Sequence, residues 1–253
     1  MTNNNKFTLI ELVVVIAILG ILITLLLPSL QNARKSAKNA VCVSNIAQIT
    51  RGSHIFAKQN NNKFWERGRD IKPTHIGRHG NGGKHEFNIY NEFVNRELYS
   101  CPLAPEALDF DFIEQLNPTR TEAQYHLLWG QRPGNAYGQR GFDNLLQETF
   151  TYNVNYVTQK EFNVLVMDYI SEKQGGTFEA SHENGQPNNF NDGNHYIRRR
   201  GGRGGRSAIW MTNYGYLDGS VRGIRNIKWM DSRLDWVAVA DGGGFKAPMP
   251  TAD

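Results

Sequence analysis

The apolar residues of this chain are most concentrated in one continuous run close to the N-terminus. From Phe7 to Leu27 the side chains are apolar apart from two threonines and one carboxylate, Glu11. A helix of about 20 mostly apolar residues spans the hydrocarbon core of a bilayer. The run therefore predicts a transmembrane helix over residues 7–28, preceded by a short polar leader, residues 1–6.

Beyond Pro28 the apolar residues recur with a helical period instead of forming a continuous run. This change predicts that the helix continues as an amphipathic extension over residues 29–57. Pro28 removes one backbone donor and predicts a kink or a loosening of the helix. The expected apolar face carries Leu30, Ala33, Ala37, Val41 and Ser44, and the expected polar face carries Gln31, Arg34, Lys38, Asn45 and Gln48.

Residues 58–253 have the pattern of a globular head. The stretch 60–85 is polar, rich in Gly and without a period, which predicts a loop. Two β-branched and aromatic segments, 149–157 and 162–170, predict a pair of strands. Ser207–Ile224 predicts a hairpin with a two-residue turn at Asp218-Gly219. Together these patterns predict an α+β fold, in which a long N-terminal helix packs on an antiparallel β-sheet head.

The composition agrees with one membrane segment and one modest domain. The chain has 253 residues, 40% hydrophobic and 21% charged, with a formal net charge of +4. About 200 residues follow the span, enough for a single core. A secretory signal peptide is the alternative for the N-terminal run. Such peptides have an apolar core of roughly 7–15 residues and a small-residue cleavage site, whereas this run is longer and is followed by SLQNARKSAKNA.

The carboxylate of Glu11 needs a partner because a charge in a hydrophobic span costs on the order of 2–3 kcal/mol on insertion scales. If the chain were cut between Lys6 and Phe7, the new α-amine would lie one helical turn from Glu11. That amine is the simple partner within one subunit. In a stack of identical subunits, the amine of a neighbour could replace it, and Glu11 would then set the axial register.

The segment FTLIELVVVIAILGILITLLLP resembles the processing site and N-terminal helix of type IV pilins and type II secretion pseudopilins. In those families a prepilin peptidase cuts before the Phe and methylates its amine. The resemblance implies processing between Lys6 and Phe7 and an assembly role for Glu11 and Pro28. Lys6 stands where those families usually have Gly.

The resemblance also implies a location and partners. It implies a single-pass protein of the cytoplasmic membrane with its head outside the cytoplasm. Copies of the chain, with other pilins or pseudopilins, would form a filament in the periplasm or on the cell surface. Counting of positive charges favours the opposite orientation, because three basic residues follow the span. Long domains translocate largely regardless of flanking charge, so we expect an extracytoplasmic head.

Three segments of the chain are similar to a prepilin-like family of Planctomycetes and Lentisphaerae that has an H-x9-DG motif near its C-terminus. They are CVSNIAQI (residues 42–49), SCPLAP (100–105) and NYGYLDGSV (213–221). Asp218 and Gly219 match the end of the motif. Ala208 occupies the position of its histidine, so no role of that histidine is transferred.

The chain contains two cysteines, Cys42 on the helix extension and Cys101 before Pro102. An extracytoplasmic compartment permits their oxidation, whereas two unrelated thiols would be expected in the cytoplasm. We predict a disulfide that clamps the head to its helix. In the chain-entropy model, closing a loop of about 60 residues is worth roughly 4 kcal/mol.

Two polar segments offer candidate ligand chemistry. SHENGQPNNFNDGNH contains His182, Asp192 and His195, and some pseudopilins hold calcium in a C-terminal loop. The spacing fits neither an EF-hand nor a zinc signature, so the simpler interpretation is a turn, without metal or another cofactor. RRRGGRGGR has the composition of a solvated loop or of a contact for DNA, acidic polysaccharide or anionic lipid; its arginines are Arg198, Arg199, Arg200, Arg203 and Arg206.

The chain lacks the common catalytic signatures. Neither a G-x-S-x-G nucleophile elbow nor an H-E-x-x-H helix is present. We therefore expect a structural subunit of a pilus or a secretion pseudopilus and not an enzyme. The alternative is a membrane-anchored extracytoplasmic enzyme, or a module that binds carbohydrate or another polyanion.

Overall fold

A computed structural model describes the backbone of residues 8–64, 75–77, 93–104, 108–111, 120–129, 150–154, 158–173, 177–180, 209–227, 233–238 and 245–250. The chain divides into two compact units, Met1–Ala40 and Val41–Asp253. One helix, α1, begins in the first unit and ends in the second, at Leu9 and Gln59.

The first part of α1 is apolar and fully exposed. Its most apolar window of 18 residues has a mean hydropathy of 3.1, and none of that window is buried. Within the described ranges, α1 is the helix that is long and apolar enough to cross a membrane. A core helix of a soluble protein would be mostly buried, which is not the case for this segment.

The last part of α1 is buried on one face, but that face is not the one expected from the sequence. Val41 and Ser44 are exposed, whereas Asn45, expected on the polar face, is only 7% exposed. The buried residues are Cys42, Asn45, Ile46, Ile49, Thr50, Gly52, Ser53, Phe56 and Ala57. The buried stripe follows the large side chains of Ile46, Ile49 and Phe56. The expectation was wrong because it continued the face of Ala33 and Ala37 beyond Val41, where the large apolar side chains lie on a different face of the helix.

The described strands are short and antiparallel. In chain order they are β1 (His75–Gly77), β2 (Arg120–Glu122), β3 (Tyr125–Leu127), β4 (Phe150–Val154), β5 (Thr158–Phe162), β6 (Val164–Asp168), β7 (Ile170–Lys173), β8 (Thr177–Ala180), β9 (Ile209–Tyr216), β10 (Val221–Ile227), β11 (Leu234–Ala238) and β12 (Phe245–Pro250). They form two four-stranded sheets, β10-β9-β6-β3 and β11-β12-β7-β8, and two pairs, β1-β2 and β4-β5. A 3₁₀ turn, Arg96–Tyr99, precedes Cys101. The α+β class is therefore confirmed.

Two expectations about strands were wrong. The segments 149–157 and 162–170 pair only at Phe150 and Phe162: β4 pairs with β5, which ends at Phe162, and β6 lies between β3 and β9. The sequence of β5, TQKEF, is too polar to indicate a strand. This strand forms because its backbone pairs with β4. The expected loop 60–85 contains the short strand β1, which pairs with β2.

The hairpin of β9 and β10 is present, but its turn is longer than the expected two residues. The N–H of Gly219 donates to the carbonyl of Tyr216, and the N–H of Tyr216 donates to the carbonyl of Ser220, both at 2.9 Å. The loop thus has three residues, 217–219, and only its last residue has positive φ, +85° at Gly219. A three-residue loop needs a left-handed residue only at its end, so Asp218 is free to accept a hydrogen bond from the turn.

The buried face of α1 packs against β9, at the middle of the first four-stranded sheet. A Cβ atom at Gly215 would lie 2.6 Å from Thr50 Oγ1 and 2.7 Å from Ile46 Cγ2. Only glycine permits this approach of strand to helix. The core next to this contact is strongly aromatic, and its largest buried side chains include Trp129, Tyr99, Tyr125, Tyr214 and Phe64.

Candidate functional site

Two features of the described residues can do more than support the fold. The first is the start of α1, where the carboxylate of Glu11 lies beside an exposed apolar helix. The second is a buried cysteine pocket, which we define as Cys42, Asn45, Cys101, Tyr125 and Asp168. The two features lie in different compact units.

Glu11 forms a capping box with Thr8 at the start of α1. The backbone N–H and the hydroxyl of Thr8 donate to Glu11 Oε2 at 2.8 and 2.7 Å, and the N–H of Glu11 donates to Thr8 Oγ1 at 3.3 Å. The first turn of a helix has backbone donors without helical partners, and this reciprocal arrangement satisfies two of them. Glu11 therefore has a structural role within its own chain.

The capping box leaves acceptor capacity on Glu11. Among the described residues, each hydrogen bond accepted by this carboxylate ends on Oε2. A carboxylate has about four lone-pair positions, so a further donor can approach without displacing Thr8. The importance of Thr8 was missed in the sequence analysis, although its signal is present: Thr-x-x-Glu before an apolar run is the signature of a capping box.

The apolar residues on both sides of Glu11 are exposed around the whole circumference of α1. Leu9 is 81% exposed and Leu25 is 70% exposed. The others with more than a third of their surface exposed are Ile10, Leu12, Val13, Val14, Val15, Ile16, Ile18, Leu19, Ile21, Leu22, Ile23, Leu26, Leu27 and Leu30. Continuous exposure of this kind needs an apolar environment, either lipid or other helices.

The cysteine pocket brings together two residues that are far apart in the sequence. Cys42 Sγ and Cys101 Sγ are 3.0 Å apart. The two sulfur atoms are not covalently bonded in the structure, and both residues are buried, with exposed fractions of 0% and 1%. The structure thus places the predicted pair in contact, while the disulfide itself stays a prediction.

Polar contacts position Cys101 against the helix. The side-chain amide of Asn45 donates to the carbonyl of Ser100 at 3.2 Å and to the hydroxyl of Tyr125 at 3.4 Å. The N–H of Cys101 donates to Gln124 Oε1 at 2.7 Å. Because each contact involves a buried group, the segment around Cys101 is held in one position on α1.

Asp168 completes the pocket. Its Oδ2 accepts a hydrogen bond from the N–H of Asn213 at 2.6 Å, and the carboxylate is fully buried. One carboxylate oxygen and the two sulfur atoms all lie within 4.8 Å of one another. Asp168 was not identified in the sequence analysis, because the sequence alone does not show that the end of β6 meets Cys42.

The electrostatics of the pocket favour the neutral forms of Cys101 and Tyr125. Burial is the main cause that raises the pKa of Cys101 well above its ordinary value, and the neighbouring Cys42 and Asp168 raise it further. Burial also raises the pKa of Tyr125, with smaller contributions from Cys101, Cys42 and Asp168. A catalytic cysteine needs the opposite shift, a lowered pKa that produces thiolate. The pocket is therefore unsuited to nucleophilic catalysis by Cys101.

No protein-family model, no curated protein and no solved structure matches the chain.

The other residues singled out from the sequence have separate positions. Pro28 lies inside α1. Asp218 and Gly219 form the turn of the β9-β10 hairpin, where Asp218 Oδ1 accepts the N–H of Ser220 at 2.8 Å. The remaining candidates lie outside the described residues: Lys6, Phe7, His182, Asp192, His195, Arg198, Arg199, Arg200, Arg203 and Arg206.

Proposed function

We propose that the chain is a structural subunit of a type IV pilus-like or type II secretion pseudopilus filament. In this proposal, prepilin peptidase cuts between Lys6 and Phe7, α1 anchors the subunit in the cytoplasmic membrane, and the head lies outside the cytoplasm. Copies then leave the bilayer by packing their helices together. The observation that carries the proposal is α1 itself, an exposed apolar helix with a carboxylate in its first turn.

The apolar surface of α1 supports a function in two environments. Burying apolar surface is worth about 25 cal/mol per Å², and within residues 8–30 that surface is exposed on every side. Lipid can cover it in the membrane. Helices of neighbouring subunits can cover it in a filament, so the same surface serves both before and after assembly.

The carboxylate of Glu11 supports an ordered register between the subunits. Thr8 already satisfies Glu11 within the chain, and acceptor capacity remains. A positively charged amine at about 4 Å would contribute on the order of 4 kcal/mol at an effective dielectric constant near 20. In the proposal that amine is the processed Phe7 of a neighbour.

The last part of α1 supports a role in holding the head. Its buried residues pack against β9 at a distance that permits no side chain at Gly215. Residues 41–253 form one compact unit that includes this end of the helix. In the proposal, this last part of the helix carries the head of each subunit.

The experiment compares variants at Thr8 and Glu11 in cells that assemble the filament. Glu11→Gln removes the charge but keeps a side chain that can complete the capping box. Thr8→Ala removes the hydroxyl of the box but keeps the charge. We expect Glu11→Gln and Glu11→Ala to reduce recovered filament at least ~10-fold, since about 1.4 kcal/mol is a factor of ten. Glu11→Asp should fall between, and Thr8→Ala should assemble close to wild type.

The readouts separate processing from assembly. Mass spectrometry of the N-terminal peptide tests cleavage after Lys6 and methylation of Phe7, and electron microscopy of sheared material tests assembly. Normal filaments with Glu11→Gln would show that Glu11 acts only as a helix cap. Intact N-termini and no filament containing the wild-type chain would contradict the proposal and favour a membrane-anchored enzyme or binding module.

A further inference from the structure

We propose that an extracytoplasmic thiol oxidant joins Cys42 to Cys101 while the head is still open, and that the folded head then shields the disulfide from reduction. The inference rests on the extracytoplasmic location in the proposed function, but not on filament assembly. It adds a partner of defined chemistry, a disulfide-exchange oxidant, and a required order of events.

The geometry supports the pairing. The sulfur atoms are 3.0 Å apart, although the two residues are separated by 59 positions in the sequence. A disulfide bond is about 2.05 Å long, so about 1 Å of approach completes it. The contacts of Asn45 and Gln124 already hold the segment of Cys101 against the helix.

The burial of both cysteines supports oxidation before the head closes. Disulfide exchange needs a thiolate that can reach the sulfur of the oxidant along an open path. Cys42 and Cys101 are 0% and 1% exposed, so an oxidant has access only before the pocket closes. The same barrier acts on a reductant after the bond has formed.

The electrostatics of the pocket act in the same direction. Burial raises the pKa of Cys101, and Cys42 and Asp168 raise it further, which lowers its thiolate fraction in the folded head. The thiolate is the attacking species in exchange. Oxidation of the reduced, folded head should therefore be slow even with excess oxidant.

The chemistry of the step is balanced. One cysteine thiolate attacks the disulfide of the oxidant, forms a mixed disulfide and releases one oxidant thiol. The second cysteine thiolate attacks the mixed disulfide, forms the Cys42–Cys101 bond and releases the second oxidant thiol. The two cysteines together lose two protons and two electrons, and the oxidant gains them.

A metal ion is the alternative occupant, since Cys42, Cys101 and Asp168 offer three donor atoms within 4.8 Å. Two thiolates on a tetrahedral zinc ion, each at about 2.3 Å, lie roughly 3.8 Å apart. The observed 3.0 Å is shorter and favours a covalent bond between the sulfurs. Zinc binding is therefore an outcome of the test and not the proposal.

The experiment uses the full-length chain, in which every labelled thiol is Cys42 or Cys101 because the chain has two cysteines. Membranes are denatured in the presence of N-ethylmaleimide, so that every free thiol is blocked, and the chain is then reduced and labelled with a polyethylene glycol maleimide. We expect both cysteines to be recovered as disulfide. Protease digestion of intact spheroplasts reports independently whether the head is extracytoplasmic.

The second measurement tests shielding. Dithiothreitol should reduce the bond at least ~100-fold more slowly in the native, detergent-solubilised chain than in denaturant, which corresponds to about 2.7 kcal/mol of opening free energy. Glutathione disulfide should oxidise the reduced chain quickly before refolding and slowly afterwards. The control for the oxidation carries Val41→Cys in a Cys42→Ala, Cys101→Ala background. Because position 41 is 47% exposed, this cysteine should react with glutathione disulfide at once in the folded chain.

The outcomes are separable. Free thiols in a head that spheroplast digestion shows to be extracytoplasmic would overturn the disulfide. Reduction at equal rates in native and denatured chains would overturn the shielding, and so would fast oxidation after refolding. One zinc ion per chain with both thiols retained would overturn the inference in favour of a metal site. A cytoplasmic head would contradict the proposed function instead, and the measurements on purified chain would still decide the shielding.

Discussion

Single polar residues determine how the end of α1 meets the head. Asn45 donates to Ser100 and Tyr125 from a nearly buried position. Removing one partner would leave another buried polar group unsatisfied, which costs about 1–3 kcal/mol. Asn45 therefore determines which segment packs against α1 as well as stabilising the contact. An apolar residue at position 45 would pack without selecting Ser100 and Tyr125 as partners.

His54 lies on α1 beside the turn of the β9-β10 hairpin. Burial is the main cause that lowers the pKa of His54 from its ordinary value of 6.5, and Lys58 lowers it further. Asp218 and the carbonyl of Leu217 oppose that shift without cancelling it. The folded head therefore disfavours the charged imidazole.

We predict that His54 makes the head less stable in acid. Between the lowered pKa and 6.5, the unfolded chain binds more protons than the folded chain, so stability falls as pH decreases through that window. The stability that the head loses in acid is fully present above about pH 6.5, the ordinary pKa of histidine. Urea unfolding of wild type and His54→Gln at pH 7.5 and 5.0 measures it: the wild type should lose more stability than the variant. Equal losses would exclude a contribution from His54.

At the scale of elements, α1 is one helix in two environments. Its first part is exposed and apolar on all sides, whereas its last part presents one buried stripe to β9. Propensity alone does not distinguish the parts, because valine, isoleucine and alanine occur in both. The difference comes from what packs against them.

We predict that the same substitution destabilises the head strongly on one face of the last part of α1 and hardly at all on the other. Ile49 is fully buried and Ile55 is 53% exposed. Ile49→Ala should cost about 2–5 kcal/mol because it leaves a cavity, while Ile55→Ala should change stability by no more than about 0.5 kcal/mol. Thermal unfolding of the full-length chain in detergent, followed by near-UV circular dichroism, measures both. Similar losses would mean that the buried face is assigned incorrectly.

At the scale of the whole molecule, the boundary between compact units falls inside the helix, between Ala40 and Val41. The head unit contains the buried stripe of α1, the cysteine pocket and the described sheets. Its core includes residues from the helix, from the 3₁₀ turn and from β12, such as Ile46, Tyr99 and Met249. Such a unit has the contacts needed to fold without the apolar anchor.

We predict that a chain starting at Ala33 is soluble, monomeric and folded. The truncation removes the exposed apolar segment and keeps two turns of helix before the first buried residue, Cys42. Size-exclusion chromatography and circular dichroism should show a monomer that melts within a few degrees of the full-length head. An unfolded or aggregated product would show that the head depends on the anchor. A matched chain starting at Ser53 should fail to fold, because it lacks Ile46 and Ile49.

Much of the fold was predictable where one residue type dominates a pattern. The apolar run before Pro28 and the Asp218-Gly219 turn both have local causes, and both lie where the sequence placed them. The wrong predictions concern non-local choices. The polar strand β5 forms because β4 pairs with it, and Asn45 is buried because Ser100 and Tyr125 accept its hydrogen bonds.

The sequence by itself determined the long apolar helix, the α+β class and the capping signature at Thr8 and Glu11, because each depends on neighbours within a few positions. Only the tertiary structure decided which face of α1 is buried and which strands pair. It also decided that Cys42, Cys101 and Asp168 share one pocket. The physical reason is that these features depend on contacts between residues far apart in the sequence, and many such arrangements are compatible with the same local pattern.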